Sequence, residues 1–410
     1  MKNVLISGAS VAGPALAYWL RRHGFTPTVV ERAPAPRPGG HAIDLRGVSV
    51  DVVRRMGLLE EARRVAVDCR GMSYVDATGR RVADMPASFL GGNGVVGEVE
   101  ILRGDLVDIF YRATGDEVEY VFDDTITSLT QTPDGVHVTF ERSAPRVFDL
   151  VVGADGAHSV TRSLAFGQES RFSRELGCYV AYFTAPNVFD IQHWDLFHNM
   201  PGRKVAALRP SRRPEEAKVL FGFASGPLDY DHRDTERQRQ IVAEVFAGAG
   251  WQVPRMLQAM EAATDFYFDS ATQIVMDGWS RGRIVLLGDA GYSPSPLGGG
   301  GTGLAVVGAY VLAGELAEAG GDHAAAFAAY EREMRDFVRQ SQKLPPGGVN
   351  GFVPRSQLAI RMRNLSIRTL PHLPWAGLIE KAVNRSDAIT LKDYGLTATP
   401  FGEPGITRSR

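Results

Sequence analysis

The sequence predicts an α/β protein: a doubly wound parallel sheet, interrupted by an inserted sheet-rich unit and followed by C-terminal helices. Three observations predict it. Val4–Ser7 is a buried-strand pattern that runs through Gly8-Ala9-Ser10-Val11-Ala12-Gly13 into a helix. Arg283–Leu287 is a second such strand, ending in Gly288-Asp289-Ala290 and leading through Pro296 and Gly298-Gly299-Gly300-Gly301 into a helix of small residues. Between the two, from about Leu176 to Ile274, aromatic strand-like runs replace the helix–strand alternation.

The elements follow in order. Pro14 suits a first helical turn, Ala15 to His23 is helical, and Gly24 caps it. Thr28–Glu31 is the next parallel strand, completing a βαβ unit. Pro34 to Gly40 is a loop. Ser49 to Met56 reads as a helix with Ser49 as its N-cap. Met72 to Pro86 is a hairpin turning at Thr78-Gly79. Asp105 to Tyr111 is helical, Val118 to Phe140 is strand, turn and strand, and Phe148–Val152 is a strand ending in Gly153-Ala154-Asp155-Gly156. In the insertion, Tyr179–Phe183, Trp194–Phe197, Val219–Phe223 and Phe266–Phe268 are strands and Thr235 to Ala249 is a helix. Gly301 to Ala319 and Ala325 to Gln342 are helices, and a basic helical tail with breakers at Pro371 and Pro374 follows.

Composition narrows the function classes. A chain of 410 residues with 44% hydrophobic side chains can bury a large core. Its formal net charge is -2, with arginines interleaved among acids, so the strongly basic footprint of a nucleic-acid binder is missing. Cys69 and Cys178 match no metal-ligand spacing and read as unpaired thiols of a reducing compartment. No uninterrupted apolar run reaches membrane-spanning length. The expectation is a cytoplasmic protein with neither membrane nor nucleic acid as partner.

The glycine motifs carry the chemistry. Gly8-x-Ser10-x-x-Gly13 is a dinucleotide fingerprint with serine at its middle glycine. The helix N-terminus behind it offers positive partial charge to a diphosphate. Glu31, about 20 residues on, stands where an acid binds a ribose hydroxyl. Asp289 at a strand tip can accept from a ribityl hydroxyl. Backbone N–H groups of the glycines at 298–301 and the helix beyond them can face the pyrimidine edge of a flavin. Asp155 either accepts within a tight turn or lies near the nucleotide. Arg103 either serves a phosphate or is a surface residue at a helix start.

Taken together, Gly8-Ala9-Ser10-Val11-Ala12-Gly13, Glu31-Arg32, Arg103-x-Asp105-Leu106, Gly153-Ala154-Asp155-Gly156 and Gly288-Asp289-Ala290 with Pro296-Leu297-Gly298-Gly299 resemble the single-component FAD-dependent aromatic monooxygenases. These are the para-hydroxybenzoate hydroxylase-like enzymes, and the nearer relatives are the tetracycline-inactivating and polyketide-tailoring members. The resemblance covers roughly the first 345 residues. It implies a Rossmann-like FAD-binding domain in three parts (1–71, 101–170 and 275–343), a substrate-domain hairpin (72–100), a substrate domain (171–274) and a C-terminal helical segment (344–410).

The resemblance also implies residue roles. Gly8, Ser10, Val11, Ala12 and Gly13 hold the diphosphate, Glu31 the adenosine ribose, and Arg32 lies along the adenine. Arg103 reaches the ribityl–diphosphate region, with Asp155 and Gly288 nearby and Asp289 on diphosphate or ribityl oxygens. Gly299, Gly300 and Gly301 line the flavin. Asp44 lies beside the ring, Arg46 either attracts the reductant or is a solvated arginine, and Pro296 offers its carbonyl beside the reacting position. Tyr179, Tyr182, Phe197 and Phe221 are pocket candidates, though aromatics at alternate strand positions also pack as core. His193 and His198, flanking Trp194, read as satisfied loop histidines.

The implied reaction uses NAD(P)H, FAD and O2. A flavin C4a-hydroperoxide hydroxylates an aromatic or polycyclic phenol or enol. No metal and no side-chain nucleophile is called for. The chain departs from the family at Tyr292 (commonly His), Gly300 (Gln), Gly303 (Asn) and Gly308 (Asp), which bears on packing under the flavin. Two alternatives stay open: a reductase or dehydrogenase of an isoprenoid or polyketide, and a flavoprotein that sequesters a ligand without turnover. The C-terminal helices fit dimerisation and packing across the two domains equally well, so the oligomeric state stays open.

Overall fold

The computed structural model describes residues 2–37, 39–88, 97–345, 347–369 and 389–395. In chain order the first elements are β1 (Asn3–Ser7), α1 (Ala12–Arg22), β2 (Thr26–Glu31), β3 (Ala42–Leu45), α2 (Val48–Arg55), α3 (Leu59–Arg64), β4 (Gly71–Val75), β5 (Arg81–Pro86), β6 (Val99–Leu102), α4 (Arg103–Thr114), β7 (Glu119–Phe122), β8 (Ile126–Thr132), β9 (Gly135–Phe140), β10 (Arg146–Phe148), β11 (Leu150–Gly153) and α5 (Val160–Phe166). The insertion adds β12 (Ser173–Pro186), β13 (Trp194–Met200), β14 (Lys204–Pro210), β15 (Glu216–Ala224), α6 (Thr235–Phe246), α7 (Val253–Glu261) and β16 (Tyr267–Ile274). The chain then returns through β17 (Ser280–Arg281), β18 (Ile284–Leu286), α8 (Asp289–Tyr292), α9 (Gly301–Glu318), α10 (His323–Ser341), α11 (Gly348–Phe352) and α12 (Gln357–Thr369).

The doubly wound sheet has the order β17-β18-β11-β1-β2-β7, parallel except at β17. Val4, Leu5 and Ile6 are fully buried because both faces are covered. On one face α1 and α9 pack together, with Trp19 edge-on to Tyr310 at 4.9 Å. On the other, the three-stranded sheet β10-β9-β8 and α5 cover Leu5, Val30 and Val151. The parallel order brings the tips of β1, β11 and β18, and hence Gly8, Gly153 and Gly288, to one edge.

The seven-stranded sheet β16-β12-β15-β14-β13-β4-β5 is antiparallel except where β13 runs parallel to β4. Side chains alternate across it. Tyr179, Ala181, Phe183, Phe221 and Phe223 form a core with Phe246 and Met256 of α6 and α7. Tyr182, Phe197, Arg209, Lys218 and Tyr267 take the opposite face by register, toward the doubly wound domain.

Several expectations are corrected. Ser49 does not cap its helix. Gly47, with φ 48°, is the N-cap of α2, and buried Ser49 instead bonds back to Arg46. Val118–Phe140 is three strands, because β7 joins the parallel sheet and only β8 and β9 form the hairpin. Phe148–Val152 is divided between β10 and β11 at Asp149, whose carboxylate accepts from Asn3 N at 2.7 Å. β14 and α7 have no counterpart in the sequence reading.

The C-terminal region touches both units. Arg363 of α12 lies 3.6 Å from the ring centroid of Tyr74 and donates to Asn199 Oδ1 at 2.8 Å. Lys392 pairs with Glu315 of α9 at 2.6 Å. Pro371 and Pro374 lie outside the described residues. Among the described residues no helix is long and apolar enough to cross a membrane.

Candidate active site

The turn after β1 is shaped by close backbone approach. Gly8 has φ 107°, and a Cβ there would lie 2.5 Å from the Ala154 carbonyl oxygen. A Cβ on Gly13 would run into the carbonyl oxygen of Gly8. Val11 is the N-cap of α1 and no side chain caps it, while Ser10 is exposed in front of it. The first N–H groups of α1 are therefore presented to whatever anion occupies the turn. Glu31 Oε2 accepts from Ala9 N at 2.8 Å and Oε1 from Ala33 N at 2.9 Å. Those bonds fix the carboxylate at the turn and leave lone pairs for a hydroxyl. Arg32 is exposed on the adjoining loop.

At the other end, Gly288 (φ 65°) caps α8 and lies against Ala12 and Ala305, which joins the α1 and α9 termini at one place. Asp289 is exposed, yet protein encloses it enough to push its carboxyl up, against the counter-pull of Ser293 and Arg103. Tyr267, 47% exposed, has its phenol pushed well up by the same enclosure, and Arg103 is pulled down by it. Groups that solvent reaches but protein surrounds line the walls of a cleft. Arg103, Asp289 and Tyr267 bear on one another across it. Gly299 and Gly300, with φ 67° and 76°, face open space, and a Cβ on either would touch nothing within 4 Å. Gly300 caps α9 in the left-handed conformation without a side-chain cap, so this 18-residue helix also presents free N–H groups. Pro296 is exposed in the turn before them.

The substrate sheet forms the facing wall. Tyr182 and Phe197 stand on it with Leu297. Tyr179 and Phe221 are corrected as pocket candidates. Strand alternation turns both into the core under α6 and α7, where Tyr179 stacks on Phe223 and Phe268 and its hydroxyl accepts from Leu228 N at 2.9 Å. His193 pairs with Asp68 and His198 Nδ1 lies 3.0 Å from the Val75 carbonyl, both satisfied away from the cleft. Asp44 pairs with Arg46 at 2.8 Å and accepts from Gly97 N at 3.2 Å.

Beside Asp44 lies a cluster that sequence reasoning missed. Arg209 of β14 donates through Nε to Asp195 and through Nη2 to Glu100, both at 2.7 Å. Glu100 and Asp195 are 4% and 6% exposed, and burial raises both carboxyls. Cys69 is close enough to make a metal-like trio with them, but Arg209 already holds the two carboxylates.

Asp155 is engaged internally: it accepts from Thr161 N at 2.9 Å, Thr161 Oγ1 at 3.0 Å and Ser159 Oγ, tying the tip of β11 to α5. Next to it, His158 bridges Asp269 of the substrate sheet (3.0 Å) and Glu169 (2.9 Å). Those bonds raise its pKa to about 10. Tyr267 Oη donates to the same Asp269 at 2.7 Å, and buried Arg162 holds Glu169 and the Ala290 carbonyl. This chain of bonds links α8 to the cleft wall.

The family departures at 292 and 308 are a matched pair. Tyr292 is buried beside Trp279, and its hydroxyl meets that of Tyr330 at 2.6 Å. A Cβ on Gly308 would lie 2.5 Å from that hydroxyl oxygen. The larger residue at 292 occupies space that any side chain at 308 would need.

Residues 1–343 match the family described as FAD binding domain. A flavin-dependent monooxygenase from an unknown prokaryotic organism is 42% identical over 343 residues, covering 83% of this chain and 88% of that protein. A flavin-dependent monooxygenase of Legionella longbeachae is 40% identical over 357 residues, covering 87% and 91%. The crystal structure of tetracycline destructase Tet(55) superposes with a TM-score of 0.79 at 38% identity, covering 96% of this chain and 99% of that one.

Proposed function

Since this chain belongs to the FAD binding domain family and its flavin-dependent monooxygenases, we propose that it uses NAD(P)H and O2 to hydroxylate an aromatic or polycyclic phenol or enol. One observation carries the reading: two uncapped helix N-termini, each fronted by glycines, meet at one cleft whose far wall is an aromatic face of the inserted sheet. When bound, FAD supplies the redox chemistry, accepting a hydride and activating O2. The residues present fit it. A side chain at Gly13 is excluded by the Gly8 carbonyl, which keeps the turn tight against the α1 N-terminus, and open space lies over Gly299 and Gly300, as a planar ring requires.

In this reading the α1 N-terminus with Gly8, Ser10, Val11, Ala12 and Gly13 binds the diphosphate. Glu31 orients the adenosine ribose and Arg32 flanks the adenine. Arg103 and Asp289 hold ribityl and diphosphate oxygens from opposite walls. Gly299, Gly300, Gly301 and the α9 dipole stabilise negative charge at the pyrimidine edge. Asp44, Arg46 and Pro296 border the ring, while Tyr182, Phe197 and Leu297 exclude water from the substrate. The mutual fit of Tyr292 and Gly308 gives a packing reason for two of the three departures that favour a sequestering flavoprotein.

The test is turnover of the FAD-loaded protein with polycyclic phenols under labelled dioxygen. The expected result is phenol-stimulated NAD(P)H oxidation with one labelled oxygen in the product. Oxidation that stays unstimulated, or a product without label, refutes it.

A further inference from the structure

We propose that His41, Arg209 and Lys218 form a pocket that takes an ionised oxygen of the aromatic substrate, a phenolate, enolate or carboxylate. The proposal rests on the cleft assignment above and adds the charge state of what fills it.

His41 stands on the Gly39-Gly40-His41 loop that enters β3. Its ring stacks on Tyr182 with centroids 4.9 Å apart and planes 24° apart. The residue is half-buried, and among the described residues neither ring nitrogen has a hydrogen-bond partner. Cations from three elements bear on it: Arg103 from α4, Arg209 from β14 and Lys218 from β15. The loop is closely approached: a Cβ on Gly40 would lie 3.6 Å from Arg103 Nε, and one on Gly39 4.0 Å from Lys218 Nζ. Enclosure first, then these cations, hold the imidazole neutral, with its pKa down at about 3. It therefore keeps one N–H donor and one acceptor throughout the working pH range.

Arg209 is held in one orientation. Asp195 takes Nε and Glu100 takes Nη2, which leaves Nη1 with no partner among the described residues and not sealed from solvent. A guanidinium clamped on two sides presents its third edge with little entropy left to lose. Lys218 is 4% exposed, donates to Thr184 Oγ1 at 2.7 Å and faces Glu216 only at 3.6 Å, so its charge is incompletely matched. Asp195, Glu100 and Asp44 act on Arg209, and the first two hold it by hydrogen bonds. The ring position beside Tyr182 thus has the imidazole of His41 and the fixed donors of Arg209 and Lys218 near it, which suits a delocalised oxyanion better than a neutral alcohol.

The test needs no turnover. FAD-loaded protein is titrated with a naphthol, the matching naphthoate and the matching naphthylmethanol, read by perturbation of the bound flavin's visible absorption. The expectation is that an anionic probe binds at least about tenfold tighter than the alcohol. His41→Phe keeps the stack on Tyr182 and removes the nitrogens; it should weaken the anion about tenfold and leave the alcohol unchanged. Arg209→Lys should do the same, and if it loses flavin, His41→Phe, which breaks no buried ion pair, decides. Tighter naphthoate indicates a carboxylate pocket and tighter naphthol a phenolate pocket; either supports the proposal. Equal binding of all three, no binding of an anion, or full anion affinity in His41→Phe overturns it. Anion selectivity without oxygenation would sink the proposed reaction but not this pocket, and oxygenation without selectivity the reverse.

Discussion

Gly308→Ala should destabilise the protein through one contact. The new methyl would sit 2.5 Å from Tyr292 Oη and 2.9 Å from Leu287 Cδ1. Leu287 can swing the end of its side chain away. Tyr292 cannot: it is 1% exposed, its ring lies 4.6 Å from that of Trp279, and its hydroxyl is bonded to Tyr330. Overpacking of this kind costs about 1–3 kcal/mol. Alanine in a helix interior recovers roughly 0.5–1 kcal/mol over glycine, so the net loss is about 0–2.5 kcal/mol by difference, centred near 1. Tyr292→Phe deletes the clashing oxygen at a cost of about 1 kcal/mol for the lost hydrogen bond. Tyr330 keeps its bond to the Leu286 carbonyl at 3.2 Å. In that background Gly308→Ala should be neutral or slightly stabilising. The four proteins form a double-mutant cycle with a coupling of about 1–3 kcal/mol, the overpacking cost itself, because the helix-propensity gain cancels. Urea unfolding followed by tryptophan fluorescence reads it. Additive effects would refute the steric account of this pair.

Two further outcomes are expected. Gly13→Ala should give protein that retains no FAD through gel filtration, because a methyl there displaces the Gly8 carbonyl that shapes the diphosphate turn; flavin retained at the parent level contradicts this. His158 has a raised pKa in the folded state, from its bonds to Asp269 and then Glu169. Its contribution is full below the unfolded pKa of about 6.5 and is lost as pH rises through about 10. The parent should therefore lose stability across that window, and His158→Gln should flatten the profile. An unchanged slope in the variant would exclude the imidazolium bridge as its origin.

Much of the doubly wound domain was legible because its signals are local. Gly8 through Gly13 between a strand and a helix, Glu31 at the next strand's end, and the Gly-rich run into α9 each announce a backbone requirement. The sheet-rich insertion was legible as a class but not in its faces. Tyr179 and Tyr182 look alike in sequence, and only the register with β15 and β16 sends one to the core and the other to the cleft. β14 was invisible because Lys204–Pro210 carries two alanines and no aromatic residue, so Arg209 went unnoticed with it. Its partners Glu100 and Asp195 come from strands far apart in the chain, and no spacing encodes their meeting. The fit of Tyr292 to Gly308 shows why two departures from a family pattern can mean one packing solution. Each looks like a loss alone, and together they share one space.

The measurement that bears most directly on the cleft is a crystal structure of this protein soaked with FAD. The account predicts the diphosphate at the Gly8–Gly13 turn and the ring edge over Gly299 and Gly300, with Arg103 and Asp289 on either side of the ribityl chain. A nucleotide seated elsewhere, or a ring turned away from the α9 N-terminus, would contradict it.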